Sequence, residues 1–149
     1  MDILDLIKKD HNEVKALFKE FETMDPGATI ARENLATKIT EELVKHDEAE
    51  EQTLYRALTE RLADSDDRVA VLEGYEEHAM ASELIAKLKK TNAGDEDFIA
   101  KFKVLHEAVE HHIKEEEGKI HKIARDVLDR EERNELGPRF EEAKQRVAV

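Results

Sequence analysis

The chain has 149 residues, a length that suits one domain, 1–149. It carries 24 Lys+Arg against 37 Asp+Glu, a net charge of −13, which argues against binding nucleic-acid phosphate or an anionic membrane surface, since both need basic residues. It has no Cys, which excludes disulfides, thiolate metal sites, iron–sulfur clusters and Cys nucleophiles together.

With only two Pro, five Gly and no Trp, the chain has few breakers, and long helices are expected rather than many short strands. Apolar residues recur at steps of three and four. Helix one is expected over Asp2 to Thr23, with Ile7, Val14, Phe18 and Phe21 on one stripe. Asp25-Pro26-Gly27 then makes a turn. Helix two runs from Thr29 to Leu62, with Leu35, Ile39, Leu43 and Leu54. Asp64-Ser65-Asp66-Asp67 supplies a turn and an N-cap. Helix three runs from Asp67 to Lys90, with Val71, Tyr75 and Ile85. A Gly94 stop and an Asp95 cap precede helix four, Asp95 to Leu128, with Phe98, Phe102, Leu105, Val109, Ile120, Ile123 and Val127. Gly137-Pro138 is expected to interrupt the tail, whose Leu136, Phe140, Ala143 and Val147 suit a helix over about 130–147 that covers a groove or an end. Short connections make consecutive helices antiparallel neighbours. The expected fold is all-α: an up-down-up-down four-helix bundle over 2–128 with a short C-terminal helix.

Polar residues interrupt these stripes. Helix one reads Ile7, His11, Val14, Phe18; helix two reads Ile39, Leu43, His46, Glu50, Leu54. Helix three reads Val71, Tyr75, His78, Ser82, Ile85; helix four reads Leu105, Val109, His112, Glu116, Ile120. Each helix therefore turns a His inward, and two also turn a Glu inward. A buried carboxylate without a partner is costly, so it neutralises or coordinates a metal. The pattern is His-x34-His-x3-Glu followed by His-x33-His-x3-Glu, an approximate duplication of one helical hairpin. Residues four apart share a helix face, so His46 with Glu50 and His112 with Glu116 can each reach one centre. Four imidazoles and two carboxylates suit a pair of divalent ions; Fe, Mn and Zn all fit this donor set. His111-Glu115 lies one residue off the stripe and reads as surface, and His106 and His121 read as solvated. Glu51 and the run Glu115-Glu116-Glu117 are placed mostly on solvated faces, with Glu51 accepting a hydrogen bond behind a ligand as the alternative.

At these residues the sequence resembles the hemerythrin family, in particular the bacterial HHE cation-binding domains. The resemblance is carried by Lys9-Asp10-His11-Asn12, by His46-Asp47-Glu48-Ala49-Glu50-Glu51 with Leu54-Tyr55, by Glu77-His78, and by Glu110 to Glu117. Glu131 to Lys144 is similar to the family's closing helix. The resemblance implies a non-haem centre of two iron ions, an Fe–O–Fe unit, held by His11, His46, Glu50, His78, His112 and Glu116. It implies a small ligand such as O2, H2O2 or NO. The oxygen-carrying branch has a second His one turn before the His of helix three; here that residue is Gly74. The position is then open, filled by water, or taken by Tyr75 or a nearby Glu. This favours sensing, peroxide chemistry or iron handling over reversible oxygen carriage.

The functional classes that follow are a di-iron protein that binds, senses or reacts with a small oxidant, a catalase-like peroxide-degrading enzyme, an iron-buffering or sensory module acting through a protein partner, and a structural bundle with core histidines. The N-terminal residues Met1-Asp2-Ile3-Leu4-Asp5 lack the pattern of a signal peptide, and no run of about 20 apolar residues occurs, so a cytoplasmic location is expected. The charged outer faces lead to the expectation of a monomer.

Overall fold

The computed structural model describes residues 1–149. Seven helical segments form five rods. Helix α1 (Ile3–Thr23) is followed by α2 (Thr29–Glu50), which passes through a π-helical turn, Glu51–Tyr55, into α3 (Arg56–Arg61). Helix α4 (Asp66–Lys89) follows, then α5 (Glu96–Glu115), a second π turn, Glu116–Ile120, and α6 (His121–Val127). Helix α7 (Arg130–Arg146) closes the chain. The first four rods are the expected bundle. α1 packs against α2, α4 against α5, and α7 lies along α1 and α2. No helix is long and apolar enough to cross a membrane.

Caps mark several of the helix starts. Asp2 accepts the Leu4 N–H at 2.9 Å, and Ser65 accepts the Arg68 N–H at 3.3 Å. Asp129 and Glu132 form a reciprocal capping box at the start of α7.

Two apolar clusters occupy the two ends of the bundle. One joins Ile3, Ile7, Leu54, Leu58, Leu128 and Phe140, among others; the second joins Phe18, Ile39, Ile85, Phe98, Phe102 and Leu105. His11, His46, His78 and His112 fall in register between the residues of these clusters.

Three details depart from the pattern read along the chain. Ser82 is exposed, and Ala81 takes the inward position between His78 and Ile85. A three-residue step from His78 thus keeps the stripe on the core, where a four-residue step leaves it. Tyr75 is half-buried, and Gly74 points inward in its stead. Gly137-Pro138 does not interrupt the tail: Pro138 lies inside α7. The lost hydrogen bond is outweighed by docking, because Gly137, Phe140 and Ala143 are all buried. Gly137 is required there, since a Cβ would stand 2.0 Å from the Met1 carbonyl oxygen.

Phe140 is fully buried and meets the His46 ring edge-on at 5.5 Å between centroids. Phe140→Ala is expected to cost about 3–5 kcal/mol in unfolding free energy by urea denaturation. An unchanged midpoint would show that α7 adds nothing to the stability of the bundle.

Candidate metal centre

The six residues expected to share one centre are all buried, and Glu50 and Glu116 have 0% exposure. They come from α1, α2, α4, α5 and the first residue of the second π turn. Each carboxylate turns one oxygen to one His pair and the other oxygen to the second pair. Glu50 Oε2 lies 3.1 Å from His46 Nε2, and Glu50 Oε1 lies 3.1 Å from His78 Nε2. Glu116 Oε1 lies 3.2 Å from His11 Nε2, and Glu116 Oε2 lies 3.2 Å from His112 Nε2. The result is two overlapping groups, His11-His46-Glu50-Glu116 and His78-His112-Glu50-Glu116, each with donor atoms within 4.8 Å of one another. Both carboxylates belong to both groups.

The outer nitrogen of every ring is held as well. The Nδ1 atoms of His11 and His46 donate to Glu117 at 2.7 Å and to Asp10 at 2.8 Å. Those of His78 and His112 donate to Glu51 and Glu77, each at 2.7 Å. Such carboxylates fix the orientation of the ring and direct Nε2 inward. Glu51 and Glu117 are therefore not solvated bystanders: each follows its Glu by one residue, and the π turn carries it toward the His of another helix. Asp10 is anchored in turn by Lys144 of α7, at 3.0 Å.

Burial disfavours a charged imidazole, but carboxylates on both sides override it. The pKa of His46 is held well above its usual value, against burial, by the charge of Glu50 and by hydrogen bonds to Asp10 and Glu50. That of His112 is raised to about 10, again against burial, by hydrogen bonds to Glu116 and Glu77. Burial would raise the Glu116 carboxyl, yet the imidazoles of His11, His112 and His121 that face it bring it well below the ordinary range.

The residues present fit a divalent pair on an independent observation. Four buried polar atoms, His11 Nε2, Glu50 Oε1, Glu116 Oε1 and His121 Nε2, have no hydrogen-bond partner, although all sit in this one region. Buried polar atoms left so are costly. Imidazole nitrogens facing carboxylate oxygens without an aligned hydrogen have the arrangement of donors converging on shared cations. The N/O set suits Fe, Mn or Zn.

The position one turn before His78 is filled by a residue that the pattern did not single out for it. A Cβ on Gly74 would stand 2.7 Å from the Tyr55 hydroxyl and 2.9 Å from its ring. Tyr55, not Tyr75, reaches the centre: it is fully buried, its hydroxyl donates to Glu116 Oε2, and its ring stacks on His78 at 5.2 Å. Burial, followed by the charges of Glu50 and Glu116, raises its pKa well above the usual value, so it remains a donor.

His121 also departs from expectation. It is buried rather than solvated, with Nε2 3.7 Å from Glu116 Oε1. His111 is exposed, as expected, and touches Glu77 at 3.7 Å. His106 is largely covered, stacked on Phe18 at 4.3 Å and paired with Glu22 and Glu110. The signal that could have found Tyr55 and His121 is their register, each five residues after a seam Glu. On a regular α-helix that step turns about 140° away. Here a π turn, with its i→i+5 hydrogen bond, intervenes in both rods and brings the residue back over the Glu. Thr53 eases the first of these turns by donating to the Ala49 carbonyl at 2.6 Å.

Comparison with known proteins now agrees with the geometry. Residues 2–124 match the hemerythrin HHE cation binding domain. The chain belongs to the hemerythrin family. Helix α7 lies beyond the matched residues, although it packs on the helices that carry the site. A protein of Nostoc sp. (strain PCC 7120 / SAG 25.82 / UTEX 2576), described as a DNA nickase, is 26% identical over 147 residues. That alignment covers 99% of this chain and 40% of the Nostoc protein, so the chain spans less than half of that relative. No solved structure matches the chain.

Two outcomes follow for the hemerythrin-family chain. Gly74→Ala drives a methyl into Tyr55, so a loss of about 1–3 kcal/mol is expected, as for other overpacked cores. Tyr55→Phe should relieve part of it in a double-mutant cycle; additive effects would contradict the contact. The second concerns the metal-free protein. Histidines with raised pKa values stabilise fully below the ordinary value of 6.5, and that contribution is lost as pH rises through the folded value of about 10 at His112. The melting temperature of metal-free protein should fall from pH 7 to pH 10. A rise over that interval would contradict the assignment. Below pH 4.5 the depressed Glu116 acts in the opposite sense, and stability falls with acid.

Proposed function

We propose that this protein holds two iron ions between His11, His46, His78 and His112, with Glu50 and Glu116 shared by both, and uses them to bind, sense or react with O2, H2O2 or NO. The observation that carries the reading is the division of each carboxylate between the two His pairs, at 3.1–3.2 Å on every side. Bound iron would supply redox chemistry and affinity for small oxidants. The chain's own residues do the rest. Asp10, Glu51, Glu77 and Glu117 orient the rings. Apolar side chains exclude water from the ligand's approach.

That approach is a narrow pocket beside His11, His46, His78 and His112, walled by Val14, Leu43, Ala81, Val109 and Ile113. Its volume of about 20 Å³ suits a ligand of two non-hydrogen atoms, such as O2, H2O2 or NO, since one water needs about 10–15 Å³. Asp47 lines the same pocket, with Oδ1 3.4 Å from His78 Nε2, and burial pushes its carboxyl above the usual range. It is placed to hold a proton beside an entering ligand.

The proposal takes the protein as a cytoplasmic monomer. Iron buffering and catalase-like turnover are the neighbouring readings, separated by experiment. The nickase name of the Nostoc relative belongs to a longer protein. A chain of net charge −13 offers a poor surface for DNA phosphate, so nicking is not proposed for this one.

The test is metal content with an absorption spectrum on protein purified without chelator. About two irons per chain are expected, with charge-transfer bands that change when the reduced protein meets oxygen, peroxide or nitric oxide. Fully loaded protein whose spectrum ignores all three would leave iron buffering and overturn the oxidant reading. Oxygen evolution from peroxide faster than free iron would favour the enzyme. No metal after anaerobic Fe(II) loading would overturn the proposal entirely.

A further inference from the structure

The two halves of the site are related by an approximate repeat, and it breaks at one informative place. A shift of 66 residues carries His46 onto His112, Glu50 onto Glu116 and Glu51 onto Glu117. The same shift carries Tyr55 onto His121. Tyr55 ends one π turn and His121 follows the other, and both stack parallel on the His of another helix: Tyr55 on His78 at 5.2 Å and 3°, His121 on His11 at 6.4 Å and 16°. Their polar ends differ. The Tyr55 hydroxyl is satisfied by Glu116 Oε2. His121 Nε2 is buried and has no hydrogen-bond partner, and the nearest carboxylate oxygen, Glu116 Oε1, is equally without one.

We propose that His121 is a fifth imidazole donor, completing the shell of the ion held by His11, His46, Glu50 and Glu116, so that the two metal positions are chemically inequivalent. The inference rests on the two-metal reading above. His121 stands at the edge of the four-donor group rather than within it, 3.7 Å from Glu116 Oε1. Two donors on one ion are separated by at most twice a metal–donor bond of about 2.0–2.2 Å, roughly 4.2 Å, so that separation is compatible with a shared ion. An imidazole also matches the remaining donors in kind, and a neutral ring adds no charge to the two carboxylates already shared. At the second position the equivalent place belongs to a phenol engaged with Glu116, over the space that Gly74 leaves open. The ion beside His11 and His46 would then be held by three imidazoles, and the ion beside His78 and His112 by two.

The experiment is an anaerobic titration with Co(II), followed by calorimetry, visible absorption and paramagnetically shifted imidazole resonances. Wild type should bind two ions of unequal affinity, with five shifted imidazoles. His121→Phe should keep its helicity, weaken one binding event by at least about tenfold and show four shifted imidazoles. His121→Asn, which keeps a polar group, serves if the Phe variant does not fold. His111→Ala, altered on the surface, should match wild type. Two ions bound by a folded His121 variant with wild-type affinities and spectrum would overturn this inference and leave the two-metal reading intact. Failure of wild type to bind Co(II) would overturn both.

Discussion

Everything else in this molecule is arranged around six ionisable side chains set into the seam of a helical bundle. An apolar interior cannot solvate them, so each must be satisfied by a neighbour. Glu50 and Glu116 occupy the middle, with four imidazoles around them and Asp10, Glu51, Glu77 and Glu117 outside those. Negative charge thus sits both inside and outside a layer of rings. Metal-free protein answers that excess by holding protons on His46, His78 and His112, and divalent cations would answer it by replacing those protons. The same carboxylates that raise the histidine pKa values are the groups that orient them for a metal.

The framework holds this constellation by local departures from regular helix. Each of the two rods that carry a His-x3-Glu pair inserts a π turn at the pair's Glu or at the residue after it. The extra residue turns Glu51 and Glu117 toward histidines of other helices and swings Tyr55 and His121 inward. Helix α7 then acts on one half alone, where Lys144 holds Asp10 and Phe140 bears on His46. On the other half, Gly74 yields its volume to Tyr55. The near-symmetry of the donors therefore lies within an asymmetric housing.

Much of this was legible along the chain. The four long rods follow from apolar residues at steps of three and four between few breakers. The two matched His-x3-Glu pairs, each preceded by a His about one hairpin earlier, identify a shared centre better than any single residue could. The departures at His121, Glu51 and Glu117 share one physical origin, the assumption of uniform helical pitch. Ser82 was assigned inward because a four-residue step seemed equivalent to a three-residue one. His121, Glu51 and Glu117 were assigned outward because a regular helix rotates them there. Pro138 was read as a break because its local preference opposes helix, and preference yields when Phe140 and Ala143 are buried against other rods.

By itself, the sequence determined the class of fold, four of the inward imidazoles and the two central carboxylates, their near-duplication and the absence of thiol chemistry. These depend on composition and on spacing within one helix, where geometry is set by the backbone. Tertiary structure alone decided which oxygen of Glu50 or Glu116 faces which ring, which carboxylate holds each Nδ1, and that Tyr55 rather than Tyr75 fills the space at Gly74. Those contacts join residues as far apart as His11 and Glu117 or Tyr55 and Glu116. They are set by the rotation and crossing of packed helices, and no spacing along the chain encodes that angle.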